Sequence, residues 1–400
     1  MDTAEGRPGP DAAAHPTGPN AGSSDPSSTP WELGRVVGRG PAHDPMAAVR
    51  RPDDPPFDVF LSGTVFLDII FTGLAGPPTS GTEIYTDGMG CSPGGVANLA
   101  IALSRLGLRT SLAAAFGHDV YGTFCRRTLE QQEDVDLTAS REFPHWHSPV
   151  TVSLAYQADR SLITHAHEPP LSADEMIATS GLPRSRACFV DLGPEMEDWT
   201  RKAAAEGTRV FADVGWDPTE QWSQELLERL SSCYAFMPNT PEALAYTRTD
   251  TPEAALSKLG NLVPVAVVTR GSKGALAVDN ETGEHADVPA LPVEAMDATG
   301  AGDVFAAGFV TSTLSGWPLL HRLRFANLCA ALSVQHFGGS LSAPGWADIA
   351  GWWQVAKRVP GLGDVAKDYA FLDEVVPHDP VGAVRRASAT IGFQTDGVEP

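Results

Sequence analysis

The sequence predicts an α/β protein built on a mainly parallel sheet covered on both faces. Short apolar runs the length of buried strands recur at 187–191, 209–213, 234–237 and 264–269. Helical stretches such as 220–230 separate them, and strands alternating with helices produce parallel sheets. Helical patterns at about 303–315, 319–336 and 346–356 close the chain. One region breaks the rhythm. Residues 149–156 and 161–165 read as a hairpin turning at Ala158-Asp159-Arg160, and 71–87 has extended character, with Thr82-Glu83-Ile84-Tyr85 alternating.

Composition bounds what such a fold does. A chain of 400 residues with 42% hydrophobic content accommodates two domains or one large α/β domain with an ample core. The net charge of −22 and a pI near 4.8 argue against nucleic-acid wrapping and against adhesion to an anionic membrane. Five cysteines are scattered, odd in number and without a C-x-x-C pair, which reads as reduced, buried thiols. The N-terminus lacks a charged-then-apolar leader and no apolar run reaches about 18 residues, so a soluble cytoplasmic protein is expected. Residues 1–54 and 378–400 are rich in Pro, Gly, Ala and Asp with little periodicity and are expected to be flexible tails, leaving 55–377 as the folded domain.

Taken in order, the fold begins with an apolar strand over 57–70. Asp68 lies within it, and an ionised carboxylate in such a run is costly without partners, which favours a ligand role. A helix over 96–106 and an extended stretch over 110–115 follow. His145-Trp146-His147 and His165-Ala166-His167 invite a metal reading, but no matching third ligand is evident, so they read as surface or lid-lining histidines. Asn239 and Glu242 sit just past a strand at a helix start. Their oxygens suit magnesium held largely through water; equally, the pair suits a capping box. Gly271 and Gly274 follow a strand and either admit a nucleotide or form a hairpin turn.

The most informative stretch is Asp297-Ala298-Thr299-Gly300-Ala301-Gly302-Asp303. Gly300, Ala301 and Gly302 precede an apolar helix, and N–H groups at a helix start form an anion site suited to a phosphate in transfer. An aspartate there repels phosphate. Asp303 makes chemical sense as a base taking the proton of an attacking hydroxyl, with a helix N-cap and glycine turn as the plain alternative. No G-x-x-x-x-G-K-[ST] occurs, so the site is not of the Walker kind.

This segment resembles the C-terminal signature of the PfkB (ribokinase-like) carbohydrate kinases, D-T-T-G-A-G-D. Upstream, Gly94-Gly95-Val96-Ala97-Asn98 followed by Gly117-His118-Asp119-Val120-Tyr121-Gly122 resembles the N-terminal signature. Asn239-Thr240-Pro241-Glu242 resembles the family's N-x-x-E motif, and 268–274 its nucleotide-side strand and turn. The resemblance spans roughly 57–375.

It implies a three-layer α/β/α fold with a small β lid, formed by about 69–92 and 145–168, that excludes water during transfer. It implies ATP and Mg2+, with K+ as a further cation, and a homodimer through the lid. On the acceptor side it implies Gly63 and Asp68, with Gly94, Gly95 and Asn98 opposite. On the nucleotide side it implies Asn239, Thr269, Gly271, Gly274 and Asn327, with Asn239 and Glu242 organising the metal.

Two departures bear on specificity. Phe66 and Val96 stand where ribokinase itself carries asparagine and lysine, so the pocket is more apolar than a ribose site. The first lysine of the chain is Lys202, and only Arg141 and Arg160 fall in the lid region, so an unphosphorylated acceptor is expected. The expected function is ATP-dependent phosphorylation of a hydroxymethyl group of a small sugar. The alternatives are a nucleoside kinase, favoured if Phe66, Trp146 or Tyr156 stacks a base, and a catalytically silent sensor.

Overall fold

The computed structural model describes residues 43–378 apart from 87, 157, 158, 194, 195, 216, 218 and 337. The C-terminal tail expected over 378–400 and residues 1–42 of the N-terminal one lie almost entirely outside the described residues.

The chain opens with strand β1 (Phe57–Ser62), β2 (Val65–Leu74) and β3 (Gly88–Gly95), which runs directly into helix α1 (Val96–Arg105). Strands β4 (Thr110–Ala113) and β5 (Ala115–Gly117), helix α2 (Val120–Arg127), and β6 (Arg141–Phe143), β7 (Val150–Tyr156) and β8 (Asp159–His165) follow. Then come α3 (Ala173–Ser180), β9 (Ser185–Asp191), α4 (Asp198–Ala205), β10 (Arg209–Asp213), α5 (Glu225–Arg229), β11 (Ala235–Phe236), α6 (Thr240–Thr247), α7 (Pro252–Gly260) and β12 (Val265–Thr269). The hairpin β13 (Ala275–Asp279) and β14 (Glu284–Val288) precedes α8 (Ala301–Leu314), α9 (Leu319–Ser333) and α10 (Trp346–Ala356).

The main sheet has the order β14-β13-β12-β11-β10-β9-β1-β4. Neighbours from β4 to β12 pair in parallel, and β13 and β14 add an antiparallel edge. Alternation along each strand divides the core between two faces. Val59, Leu61, Phe189 and Phe211 pack with α1, α8 and α9 on one side; Phe60, Val190, Ala212 and Phe236 pack with α4, α6 and α7 on the other. Because both faces are dry, these strands carry unbroken apolar runs rather than alternating ones. The antiparallel edge is a hairpin whose outer strand alternates between half-buried and exposed positions before the buried Val288.

Four strands form a second sheet in the order β3-β2-β7-β8, the lid. The single strand expected over 57–70 is therefore two. The break at Gly63-Thr64 lets the chain leave the main sheet, and β2 pairs with β3 and β7 instead of continuing beside β4. Residues 82–85, read as extended, form no strand; Ile84 and Tyr85 are exposed, so no partner rewards their alternation. The G-x-D-x-x-G turn anchors the lid. Asp119 caps α2 by accepting from Gly122 N–H at 2.7 Å and accepts from Ser148 N–H at 2.8 Å, just before β7. Burial raises the Asp119 carboxyl, but these hydrogen bonds from Gly122 and Ser148 outweigh it and hold the group below the usual carboxylate range.

The expected N-terminal tail ends earlier than composition indicated. Residues 43–54 pack on the domain: Met46 is fully buried, the His43 ring meets Trp346 edge-on at 4.6 Å, and Arg50 binds Asp58 through both terminal nitrogens at 2.6 and 2.8 Å. One methionine and one arginine are too few to register as periodicity, yet enough to tie the segment down.

The five cysteines are buried and free. Among the described residues, no helix is long and apolar enough to cross a membrane.

Candidate active site

The parallel strands deliver their C-terminal ends to one edge of the sheet, the usual location of sites in such folds. There β9 ends in Asp191 and β10 in Asp213, directly opposite each other in register. The N-terminus of α8 arrives at the same edge with Asp303, and the lid contributes Phe66. Together with Gly63, Thr64, Gly95, Val96 and Phe189 they enclose a cavity of about 430 Å3.

Asp303 is the third residue of α8, whose first backbone bond runs from Val304 N–H to the Gly300 carbonyl at 2.9 Å. The first-turn N–H groups therefore have no carbonyl one turn behind them. Gly300 sits at φ 74°, a left-handed conformation that starts the helix abruptly, and the space beside Gly302 is open. Of the three residues expected to bind anion through N–H groups, Ala301 donates to the Ala298 carbonyl at 3.2 Å; it closes the turn as well as facing the helix end. Asp297 braces the loop, accepting from Thr299 N–H at 2.8 Å and Gly338 N–H at 3.3 Å. Asn98, on α1, donates through Nδ2 to Asp303 Oδ2 at 3.1 Å, while its Oδ1 is buried without a partner.

Sequence reasoning missed Asp191 and Asp213. Each terminates an apolar strand, the same signal that singled out Asp68, and could have been found by it. Burial raises the Asp213 carboxyl well above its ordinary range, and the charges of Glu242, Asp191 and Asp303 push the same way, against one hydrogen bond from Val214 N–H. Asp213 is partly exposed where it lines the cavity. Asp191 opens onto the cavity and is also raised by its surroundings, with Gly215 N–H opposing.

The other expected residues divide into two groups. On the lid side, Asp68 is buried against Gly94; a Cβ at Gly94 would come within 2.0 Å of its carboxylate, so only glycine fits. Neither Asp68 nor Gly94 lines the cavity, whereas Gly63 and Gly95 do. Trp146 donates its indole N–H to the Glu168 carbonyl at 2.9 Å and does not line the cavity either. The side chain of Tyr156 lies outside the described residues.

On the nucleotide side, Asn239 and Glu242 form the capping box. Asn239 Oδ1 accepts from Glu242 N–H and Glu242 Oε2 from Asn239 N–H, both at 3.0 Å. Asn239 thus commits one lone pair of its oxygen to the start of α6. Glu242 is buried, and burial raises its carboxyl against those two hydrogen bonds. Thr269 bridges to Asn239 across the ends of β12 and β11, and its carbonyl accepts from Thr240 Oγ1 at 2.9 Å.

Gly274 has a structural reason: a Cβ would meet the Val288 carbonyl at 1.9 Å. Gly271 faces open space. Asn327, expected as an adenine contact or a solvated residue, is buried and donates to the Val288 and Pro289 carbonyls at 3.4 and 3.2 Å, tying α9 to the end of β14. The lid histidines His147, His165 and His167 stack edge to face at 5.6 and 4.8 Å, but among the described residues no group of three or more His, Cys, Asp or Glu is placed to hold a metal ion.

This arrangement is that of a group-transfer enzyme: a helix start for an anion, a carboxylate beside it, and a lidded cavity. Residues 65–346 match the model of the pfkB family carbohydrate kinases. The fructokinase of Salmonella typhimurium is 30% identical over 284 residues, covering 65% of this chain and 91% of that protein. An E. coli protein solved in complex with ATP and Mg2+ superposes with a TM-score of 0.65 at 22% identity, covering 75% of this chain and 99% of that one. Arabidopsis thaliana ribokinase, solved with ribose and ATP, gives 0.59 at 23%, covering 74% and 98%. The chain belongs to the pfkB family of carbohydrate kinases and is a phosphotransferase of that kind.

Proposed function

We propose that this enzyme transfers the γ-phosphoryl group of ATP to a hydroxyl, foremost a hydroxymethyl, of a small unphosphorylated sugar, with Asp303 as base. The observation that carries the reading is Asp303 itself, set in the first turn of α8, open to the cavity and held by Asn98. The acceptor oxygen attacks the γ-phosphorus, its proton passes to the Asp303 carboxylate, and the bond to the bridging oxygen of ADP breaks. The first-turn N–H groups and the helix dipole oppose the charge that develops on the phosphoryl oxygens. Asn98 positions the Asp303 carboxylate.

No Lys, Arg or His is among the described residues lining the cavity, which supports an acceptor without its own phosphate. The fructokinase relative supports a sugar. Phe66 and Phe189 in the cavity wall favour a nucleoside as the second reading, by stacking. Mg2+ fits as an ion held mostly through water and phosphate oxygens, since Glu242 retains Oε1 while the described residues build no protein cage. When bound it would neutralise phosphate charge. The lid carries a reading of its own: β8 is an edge strand with Leu162 and Ile163 exposed, which supports pairing of two lids in a homodimer.

The test is ADP release with ATP and Mg2+ across free sugars and nucleosides, with Asp303→Asn beside the native enzyme. Turnover in the variant should fall by about 10²–10⁴, with nucleotide affinity within a few-fold. Near-native turnover in Asp303→Asn would sink the mechanism.

A further inference from the structure

The lid strands and the loop that starts α8 are far apart in sequence, yet one short segment touches both. Residues 338–343 follow α9 and turn at two left-handed glycines, Gly338 at φ 122° and Gly339 at φ 53°. On the phosphate side, Gly338 N–H donates to Asp297, which also accepts from Thr299 N–H in the loop before α8. On the lid side, Ser340 is fully buried and its hydroxyl donates to the Pro93 carbonyl of β3. Gly339 lies between the two. A Cβ there would stand 3.6 Å from Thr299 Cγ2, 3.1 Å from Ser92 Oγ on β3 and 3.7 Å from Ile70 Cδ1 on β2. The far end of the segment is clamped. Arg105, buried at the end of α1 and paired with Glu133, donates through Nη1 to the Leu341 and Ala343 carbonyls at 2.9 and 2.6 Å. Ser342 Oγ donates to the Gly339 carbonyl at 2.7 Å and closes the turn.

We propose that Ser340 is a positioning residue for phosphoryl transfer, fixing lid strand β3 to the loop that receives the phosphate. β3 is an edge strand of the lid sheet and runs directly into α1. Pro93 precedes Gly94, which packs on Asp68, and Gly95, which lines the cavity. The Pro93 carbonyl therefore sets the height of the cavity wall. Its anchor, Ser340, sits two residues from the N–H that braces Asp297. Transfer needs the acceptor oxygen and the phosphorus aligned closely, and a misplacement of about 1 Å costs about 10² in rate. Without the hydroxyl, the buried Pro93 carbonyl loses its donor and the strand relaxes towards another. The inference rests on the kinase reading for placing the acceptor beside Gly95 and the phosphate at α8, but its test is separate.

Hydrogen exchange of the full-length enzyme is followed with and without a non-hydrolysable ATP analogue and Mg2+, a probe of the phosphate side that needs no acceptor. The analogue should slow exchange of the β3 amides by about threefold or more. Ser340→Ala should abolish that response while analogue affinity stays within about threefold. Turnover is then measured on the sugar or nucleoside that the native enzyme phosphorylates fastest. Ser340→Ala should lower kcat by about 10–100-fold, with KM for ATP within about threefold. Thr247→Ala removes a comparable buried hydroxyl, bonded to the Ala243 carbonyl at the end of α6, and should keep both kcat and the β3 response. No slowing in native β3, a response that survives Ser340→Ala, an unchanged kcat in that variant, or an equal loss in Thr247→Ala overturns the proposal. The native exchange measurement can overturn it even where Ser340→Ala fails to fold. Near-native turnover in Asp303→Asn beside a Ser340-dependent β3 response refutes the base and keeps the link; an inert β3 beside an inactive Asp303→Asn does the reverse.

Discussion

Two carboxylates at opposite ends of the same sheet have opposite surroundings. Asp58, near the start of β1, is fully buried and ringed by Arg50 at 2.6 Å, Arg109 at 3.3 Å and Arg186 at 3.8 Å. Burial would raise its carboxyl, but the hydrogen bonds from Arg50 and Arg109 more than offset that and hold it below the ordinary range. Asp213, at the end of β10, is ringed by Glu242, Asp191 and Asp303 and is raised well above it. The first arrangement stabilises the fold. The second costs stability, and clustered carboxyls that raise one another mark a candidate site where structural ion pairs do not.

The comparison can be broken in three ways. The largest effect is expected from deletion of residues 1–54, which removes Arg50 and Met46 together. Losing a partner of a buried carboxylate costs about 3 kcal/mol or more, and losing a buried methionine about 2 kcal/mol. Denaturant unfolding should therefore register a loss of roughly 5 kcal/mol; a loss under about 1 kcal/mol would mean the segment is not an integral strap. Next, Asp58→Asn should cost about 3 kcal/mol at neutral pH, with turnover per folded molecule unchanged. Because the folded Asp58 carboxyl lies below its unfolded value, its contribution is complete above about pH 4 and disappears as the pH falls through the folded value. The penalty of the substitution should shrink in acid.

The smallest effect has the opposite sign. A folded carboxyl raised above its unfolded value favours the protonated fold, so Asp213 weakens stability as pH rises from about 4 towards its raised value. Asp213→Asn should therefore stabilise the protein near neutrality, with no gain below about pH 4, while lowering turnover. Thermal melts at several pH values check this. A destabilised Asp213→Asn at neutral pH would show that the two carboxylates are not opposites.

Much of the fold was legible because the strands are buried on both faces. Val265–Thr269 and Ser185–Asp191 carry enough consecutive apolar residues to stand out without tertiary knowledge. The lid was legible only in part: β7 and β8 show local alternation, while β2 looks like a continuation of β1, and only pairing with β3 and β7 separates them. In the site, the motif around Asp303 announced itself, and Asn98 lies where it can hold that aspartate across 205 positions of sequence. Asn327 and Gly274 lie where the resemblance implies a nucleotide; residue order does not show what touches them, and in the fold both meet Val288 and its neighbours.

By itself the amino-acid sequence determined the alternation of strand and helix, the helix start that carries Asp303 and the family to which these belong. Those are local properties of hydrophobic period, turn chemistry and residue order. Tertiary structure alone decided that Asp191, Asp213 and Asp303 face one cavity while Asp58 draws three arginines. Charge balance depends on distances between residues far apart in the chain, and the same Asp at the end of an apolar run becomes a strut or a site according to what the fold sets beside it.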